Sequence, residues 1–181
     1  MKIIVLIKQV PDTEAQIKID SSGKAIEESG IKFVLNPYDE FAVEEAVRIK
    51  EKIPGSTVSV ITVGPERAKE AVRSALAMGA DTGIRIWDDS LKGADTVVIG
   101  KILATAIKSM EYDLILCGKQ AIDEDRGITG GALANLLSIP FVSNVVKVNL
   151  ENDCCSLQRE IEGASEIVEA KLPCIISAQK G

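Results

Sequence analysis

The chain has 181 residues, 46% of them hydrophobic and 27% charged, which is enough for one folded domain and too apolar for a disordered chain. A net charge of −6 and a pI near 4.9, with no Lys/Arg cluster that could follow a phosphate backbone, exclude nucleic acid as the main partner. The absence of histidine removes the commonest general base and the commonest zinc ligand.

In chain order, residues 2–8 form a continuous Ile/Val/Leu run, the pattern of a strand buried on both faces, and it opens into a loop at Gln9-Val10-Pro11-Asp12. The run is too short for a signal or a membrane span. Residues 13–35 read as irregular, with a turn at Asp20-Ser21-Ser22-Gly23 inside a hairpin. Asn36 then stands as an N-cap with Pro37 at the first helical position. Phe41, Val43, Ala46, Val47 and Ile49 make a helical face, stopped by Pro54-Gly55.

Residues 57–63 are a strand. Gly64-Pro65 opens a second helix that runs through about Met78 and closes at Gly79. Ile84–Trp87 is a short strand, residues 94–110 are apolar at helical spacing, and Asp113–Cys117 is a further buried strand. A fourth helix follows at about 127–138. Alternation of this kind predicts a doubly wound, mostly parallel α/β sheet with right-handed crossovers.

From about residue 141 the character changes. Val142–Val148, Cys155–Ile161 and Ser165–Ala170 are short runs, with turn residues at Glu151-Asn152-Asp153 and Glu162-Gly163. They read as a small antiparallel addition at about 141–171, before Leu172–Ser177 returns as an apolar strand. One domain spanning 1–181 is expected. The cysteines Cys117, Cys154, Cys155 and Cys174 contain no C-x-x-C pair, so they read as thiols of a reducing cytoplasm, with no metal or disulfide assigned to them.

In an open α/β sheet, ligands lie beyond the carboxyl ends of the strands. Four segments converge there: Leu6–Gln9, Asn36–Asp39, Val63-Gly64-Pro65 and Gly118–Gly131. The last is the richest. Its glycines permit close backbone approach, and Thr129 with the Gly130 and Gly131 amides can hold phosphate at the helix start. It matches neither a Walker A loop nor a G-x-G-x-x-G fingerprint. Asp123-Glu124-Asp125 reads as a solvated or capping cluster, with a divalent cation as the other reading. Asn36-Pro37-Tyr38-Asp39 is either a helix start alone or also a ligand contact. No Ser/His, Cys/His or paired-carboxylate arrangement for covalent or acid–base catalysis is present, so the chain reads as a binder.

At these residues the sequence resembles the β subunits of electron-transfer flavoproteins. Ile7-Lys8-Gln9-Val10-Pro11-Asp12 is similar to that family's first strand and loop, and Asn36-Pro37-Tyr38-Asp39 with Ala42-Val43-Glu44-Glu45-Ala46 to its first helix. Ala75-Leu76-Ala77-Met78-Gly79-Ala80-Asp81 resembles its second helix end. Leu116–Asp123 through Thr129-Gly130 resembles its nucleotide loop. Arg159-Glu160-Ile161-Glu162-Gly163, Glu166-Ile167-Val168 and Leu172-Pro173 resemble its late motif.

The resemblance implies an adenine-nucleotide α-hydrolase-like fold and an electron carrier with no active-site side chains of its own. It also implies an AMP, or a second FAD, in the pocket. A partner α subunit would share a further FAD, and acyl-CoA or other dehydrogenases would be redox partners. Carried over, the nucleotide contacts are Leu6, Asn36, Pro37, Tyr38, Asp39, Val63, Ala121, Ile122, Asp123, Asp125, Gly127, Ile128, Thr129, Gly130, Gly131 and Ala132, with Leu6 and Val63 acting through backbone. Ile128 departs from the family's usual glutamine. The family continues beyond 172–177 with a dehydrogenase-recognition loop and a C-terminal arm, and a chain ending at Gly181 is expected to lack both. The alternative is a stand-alone adenine-nucleotide sensor of universal-stress type, whose G-x-x-G-x(9)-G-[ST] motif is not found here.

Overall fold

A computed structural model describes residues 1–151 and 153–180. Its main sheet has eight strands in the order β5-β4-β1-β6-β10-β7-β8-β9. They are β1 (Lys2–Leu6), β4 (Thr57–Val63), β5 (Thr82–Ile86), β6 (Leu114–Gly118), β7 (Phe141–Glu151), β8 (Cys154–Ile161), β9 (Ala164–Lys171) and β10 (Cys174–Ala178). Pairing is parallel from β5 through to β7, and antiparallel between β7 and β8 and between β8 and β9. The doubly wound α/β sheet is present with its antiparallel addition.

Strands covered on both faces must be apolar on both faces. In β1, Ile3 and Val5 face one core while Ile4 and Leu6 face the other. On the first face pack α1 (Pro37–Lys52), through Ala42, Val43, Ala46 and Ile49, and α2 (Lys69–Ala77), through Ala71, Val72 and Ala75. On the second pack α3 (Thr96–Ile107), through Leu103, Ala104 and Ile107, and α4 (Thr129–Leu137), through Leu133 and Ala134. The i, i+1, i+4, i+7 spacing of the buried α1 residues is the stripe of a helix on a sheet. Each fully buried Ile or Leu contributes about 1.5–3 kcal/mol relative to exposure.

Three elements differ from the sequence expectation. First, Gln9–Pro11 (β2) is no plain loop: it pairs antiparallel with Phe33–Leu35 (β3) in a second, two-stranded sheet. Three-residue strands are too short to show a period. The turn at 20–23 does sit in a hairpin, held by an Ile19–Ile26 bridge.

Second, β7 is not antiparallel throughout. Phe141 to Val145 run parallel beside β10, and antiparallel pairing with β8 starts only at Val145. The change of partner occurs at Asn144, which has a φ of +59° and donates its N–H to Ser177 Oγ at 3.1 Å. A backbone kink of this kind lets one strand serve two neighbours.

Third, Trp87 falls just after β5 instead of ending it. The Glu162-Gly163 turn is formed, with Gly163 at a φ of +73°. Of the turn expected at Glu151-Asn152-Asp153, Asn152 lies outside the described residues, as does Gly181. Cys117, Cys155 and Cys174 are buried free thiols, and the sulfurs of Cys155 and Cys174 lie 4.0 Å apart. No helix among the described residues is long and apolar enough to cross a membrane.

Candidate functional site

The carboxyl ends of β1, β4 and β6 open on a cavity of about 560 Å³, within the size range of small-molecule sites. Leu6, Ile61, Leu103 and Cys117 lie at its base, where the apolar layer of the second core reaches the strand ends.

One carboxylate holds this end of the sheet together. Asp39, in the first turn of α1 and 6% exposed, accepts from the Lys8 N–H at 2.7 Å and from the Gly118 N–H at 3.0 Å. It thereby ties the chain leaving β1 to the end of β6. Burial pushes its carboxyl up to about 7, opposed by those two amides. Gly118 is required for this contact: a Cβ there would lie 2.4 Å from Asp39 Oδ1 and 2.6 Å from the Tyr38 carbonyl carbon.

Asn36 has a second task. Its carbonyl accepts from Asp39 and Glu40, as an N-cap backbone does, but its side chain makes no capping bond. Instead Nδ2 donates to the Gln120 carbonyl at 2.8 Å, and Oδ1 accepts from the Ile122 N–H at 3.2 Å. At 1% exposure, Asn36 anchors the long loop that follows β6. Asp125, at a φ of +52°, accepts from Gln120 Nε2 at 2.7 Å inside that loop.

Asp123 and Glu124 reach Lys8 Nζ at 2.8 and 3.4 Å. Arg126 approaches Glu124 at 3.7 Å and Thr96 Oγ1 at 3.5 Å, linking the loop to the start of α3. Asp123 and Glu124 thus share the Lys8 ammonium while Asp125 closes the loop on Gln120, and among the described residues no group of three or more His/Cys/Asp/Glu side chains is placed to hold a metal.

Helix α4 starts at the cavity with Thr129 and Gly130 on its wall. The Thr129, Gly130 and Gly131 amides precede the first intrahelical bond, which runs from Ala132 to the Ile128 carbonyl, and so have no acceptor within the helix. The amides and helix dipole make this end attractive to an anion. Gly130 lets the helix sit close to the sheet: a Cβ there would lie 2.8 Å from the Phe141 ring and 3.0 Å from Cys117 Sγ. Burial, with the Asp39 charge nearby, pushes the Cys117 thiol well above its ordinary range, so it is neutral and a poor nucleophile.

Of the residues named from sequence, Leu6, Asn36, Asp39, Val63, Ala121, Asp123, Gly127, Thr129 and Gly130 line the cavity. Pro37, Tyr38, Ile122, Asp125, Ile128, Gly131 and Ala132 do not. Ile122 supplies an amide to Asn36, Ile128 is exposed, and Gly131 packs behind on Phe141. The main wall missed is the segment after β5, with Trp87, Gly93, Ala94, Thr96 and Ile99. Only the strand order puts β5 beside β4 and so brings this segment to the cavity. The position of the chain's one Trp directly after a strand was the available signal.

Residues 24–181 match the electron transfer flavoprotein domain family. The chain is similar to the electron transfer flavoprotein subunit beta of Thermoanaerobacterium thermosaccharolyticum, at 44% identity over 180 residues, covering 99% of this chain and 68% of that one. It is similar to the same subunit of Bacillus subtilis at 40% identity, covering 100% of this chain and 70% of the relative. It also resembles the caffeyl-CoA reductase-Etf complex subunit CarD of Acetobacterium woodii at 39% identity, covering 99% and 69%. With the geometry above, these similarities establish that the chain belongs to the electron transfer flavoprotein family, among its beta subunits.

Proposed function

We propose that this chain binds an adenine nucleotide, AMP or FAD, in the cavity at the ends of β1, β4 and β6. It acts as one half of a heterodimer with an FAD-carrying α subunit, and the pair passes electrons between acyl-CoA or other dehydrogenases and a downstream acceptor. The chain is a carrier subunit and no catalyst in its own right. The name of the Acetobacterium relative, a subunit of a reductase–Etf complex, supports assembly with a dehydrogenase-type enzyme.

The observation that carries the nucleotide reading is the α4 N-terminus, which brings Thr129 and Gly130 to the cavity wall with three amides that have no acceptor within the helix. A phosphate fits there by charge and by hydrogen bonding to those amides. Bound flavin supplies reversible electron uptake and release. The residues here do the rest. Thr129 and the α4 amides hold the anion, Asp39 and Asn36 keep the surrounding backbone in place, and Leu6, Ile61 and Leu103 exclude water from the base of the site.

Extraction of the chain purified without added nucleotide, alone and co-expressed with a candidate α subunit, tests the proposal. AMP or FAD is expected at about one per chain, with a yellow complex on co-expression. Protein free of nucleotide that also fails to take up AMP or FAD on titration would overturn it.

A further inference from the structure

The cavity is polar at one end and apolar at the other. Lys8, Arg126, Thr129 and the first α4 amides gather on the β6 side, with Asp123 and Glu124 paired to Lys8 and Arg126. On the β5 side stand Val63, Gly64, Pro65, Ala68, Trp87 and Ile99, with Arg67 beside them held by Glu28 and lying over Phe33. Three inter-strand steps separate β5 from β6 in the order β5-β4-β1-β6, roughly 14 Å at the usual spacing. A ligand filling the site is therefore elongated, with its anionic group at the α4 amides and its apolar part toward Trp87 and Ile99.

Among the described residues three aromatic rings line the cavity: Phe33, Trp87 and Phe141. Two are already covered. The Arg67 guanidinium lies over Phe33 at 3.7 Å from the ring centre, and α4 packs Gly130 and Gly131 against Phe141. Trp87 is half-buried, and among the described residues no cation lies over its ring.

Trp87 is also held in place. Its Nε1–H donates to Asp89 Oδ1 at 3.1 Å, and Asp88 closes the same turn by accepting from the Ser90 N–H at 3.0 Å. On its other side, the Gly64 N–H donates to the Ile86 carbonyl at 3.1 Å, and Arg85 Nη1 donates to the Gly64 carbonyl at 3.0 Å. Both backbone groups of Gly64 are thus spent on β5, which seats Trp87 beside the Gly64–Pro65 wall. A half-buried indole on the cavity wall, held by its Nε1–H bond and set among apolar residues, is a stacking surface for a planar heteroaromatic ring.

We propose that Trp87 is the residue on which the nucleobase stacks, so that it selects for a base-bearing ligand while the β6 end takes the phosphate. This rests on the nucleotide reading above. The test uses the 181-residue chain, stripped of bound nucleotide and titrated with AMP and with ribose 5-phosphate. Calorimetry and tryptophan fluorescence are followed together, for the parent, Trp87→Phe and Trp87→Leu.

AMP is expected to quench the fluorescence of the parent with the calorimetric midpoint. Trp87→Leu loses about tenfold or more in AMP affinity, Trp87→Phe loses about threefold, and ribose 5-phosphate binds all three alike. Calorimetric AMP binding with no fluorescence change, unchanged affinity in Trp87→Leu, or an equal loss for ribose 5-phosphate overturns the stacking role and leaves the nucleotide site standing. Failure of both AMP and FAD to bind the parent overturns the nucleotide reading itself and the stacking role with it. The parent quenching measurement needs no variant, so a misfolded variant does not protect the proposal.

Discussion

Asp39 Oδ1 and the Gly118 amide meet at 3.0 Å, and the contact exists because position 118 has no side chain. A methyl group there would lie 2.4 Å from the carboxylate oxygen and 2.8 Å from the Asp39 nitrogen. Two of its three nearest atoms are backbone, so no rotamer change relieves the overlap. Gly118→Ala is expected to cost about 3 kcal/mol, at the upper end of overpacking effects, and to abolish nucleotide binding. Urea unfolding measures the first. A loss below about 0.5 kcal/mol, the scale of a neutral surface change, would refute the close fit.

The same carboxyl makes stability depend on pH. Burial pushes its folded value up to about 7 from the ordinary aspartate value of 3.8. Between those values the folded chain holds a proton that the unfolded chain has lost, so the Asp39 contribution falls as pH rises from about 4 to about 7 and is level above that. The stability difference between parent and Asp39→Asn is expected to shift toward the parent by about 1.4 kcal/mol for each unit below pH 7. Denaturant midpoints at pH 5.5, 7 and 8.5 check this, and a difference that does not move with pH would contradict it.

Asn36 carries the loop after β6 on two hydrogen bonds, one donated and one accepted. Asn36→Ala leaves the Gln120 carbonyl and the Ile122 amide without these partners, at a cost of about 1–3 kcal/mol. The loop should then be cut faster by protease between residues 120 and 128. Asn36→Asp keeps the acceptor for Ile122 but sets a buried carboxylate against the Gln120 carbonyl, so its loss should be at least as large. Equal proteolysis of parent and Asn36→Ala would show that other contacts hold the loop.

Thr129 opens α4 on the cavity wall. Thr129→Val preserves the shape and removes the hydroxyl. AMP affinity is expected to fall by about 1 kcal/mol, the net value of one hydrogen bond, with little change in melting temperature. Isothermal titration reads the effect, and unchanged affinity would take the hydroxyl out of the site.

The helices and the central strands were legible because their signals are local. Continuous apolar runs such as Ile3–Ile7 and Leu114–Cys117 need burial on two faces, and the 3.6-residue spacing in α1 and α3 survives without knowledge of partners. The Gly118–Gly131 loop was legible for a similar reason: its glycines and the Thr129 start mark a chain that must approach something closely. The β2–β3 pair was not, because three residues carry no period and each strand is defined by its partner 22 or more positions away.

Local pattern set the α/β alternation, the family resemblance and the loop that offers its amides. Only the tertiary fold decided where the last strand goes. β10 enters between β6 and β7, since its five buried residues need a neighbour on each side and cover on both faces. The tertiary fold also decided what Asn36 and Asp39 do with their side chains, because their partners at Lys8, Gly118, Gln120 and Ile122 are distant in sequence. It brought Trp87 to the cavity as well, since strand order, which no local signal encodes, places β5 next to β4.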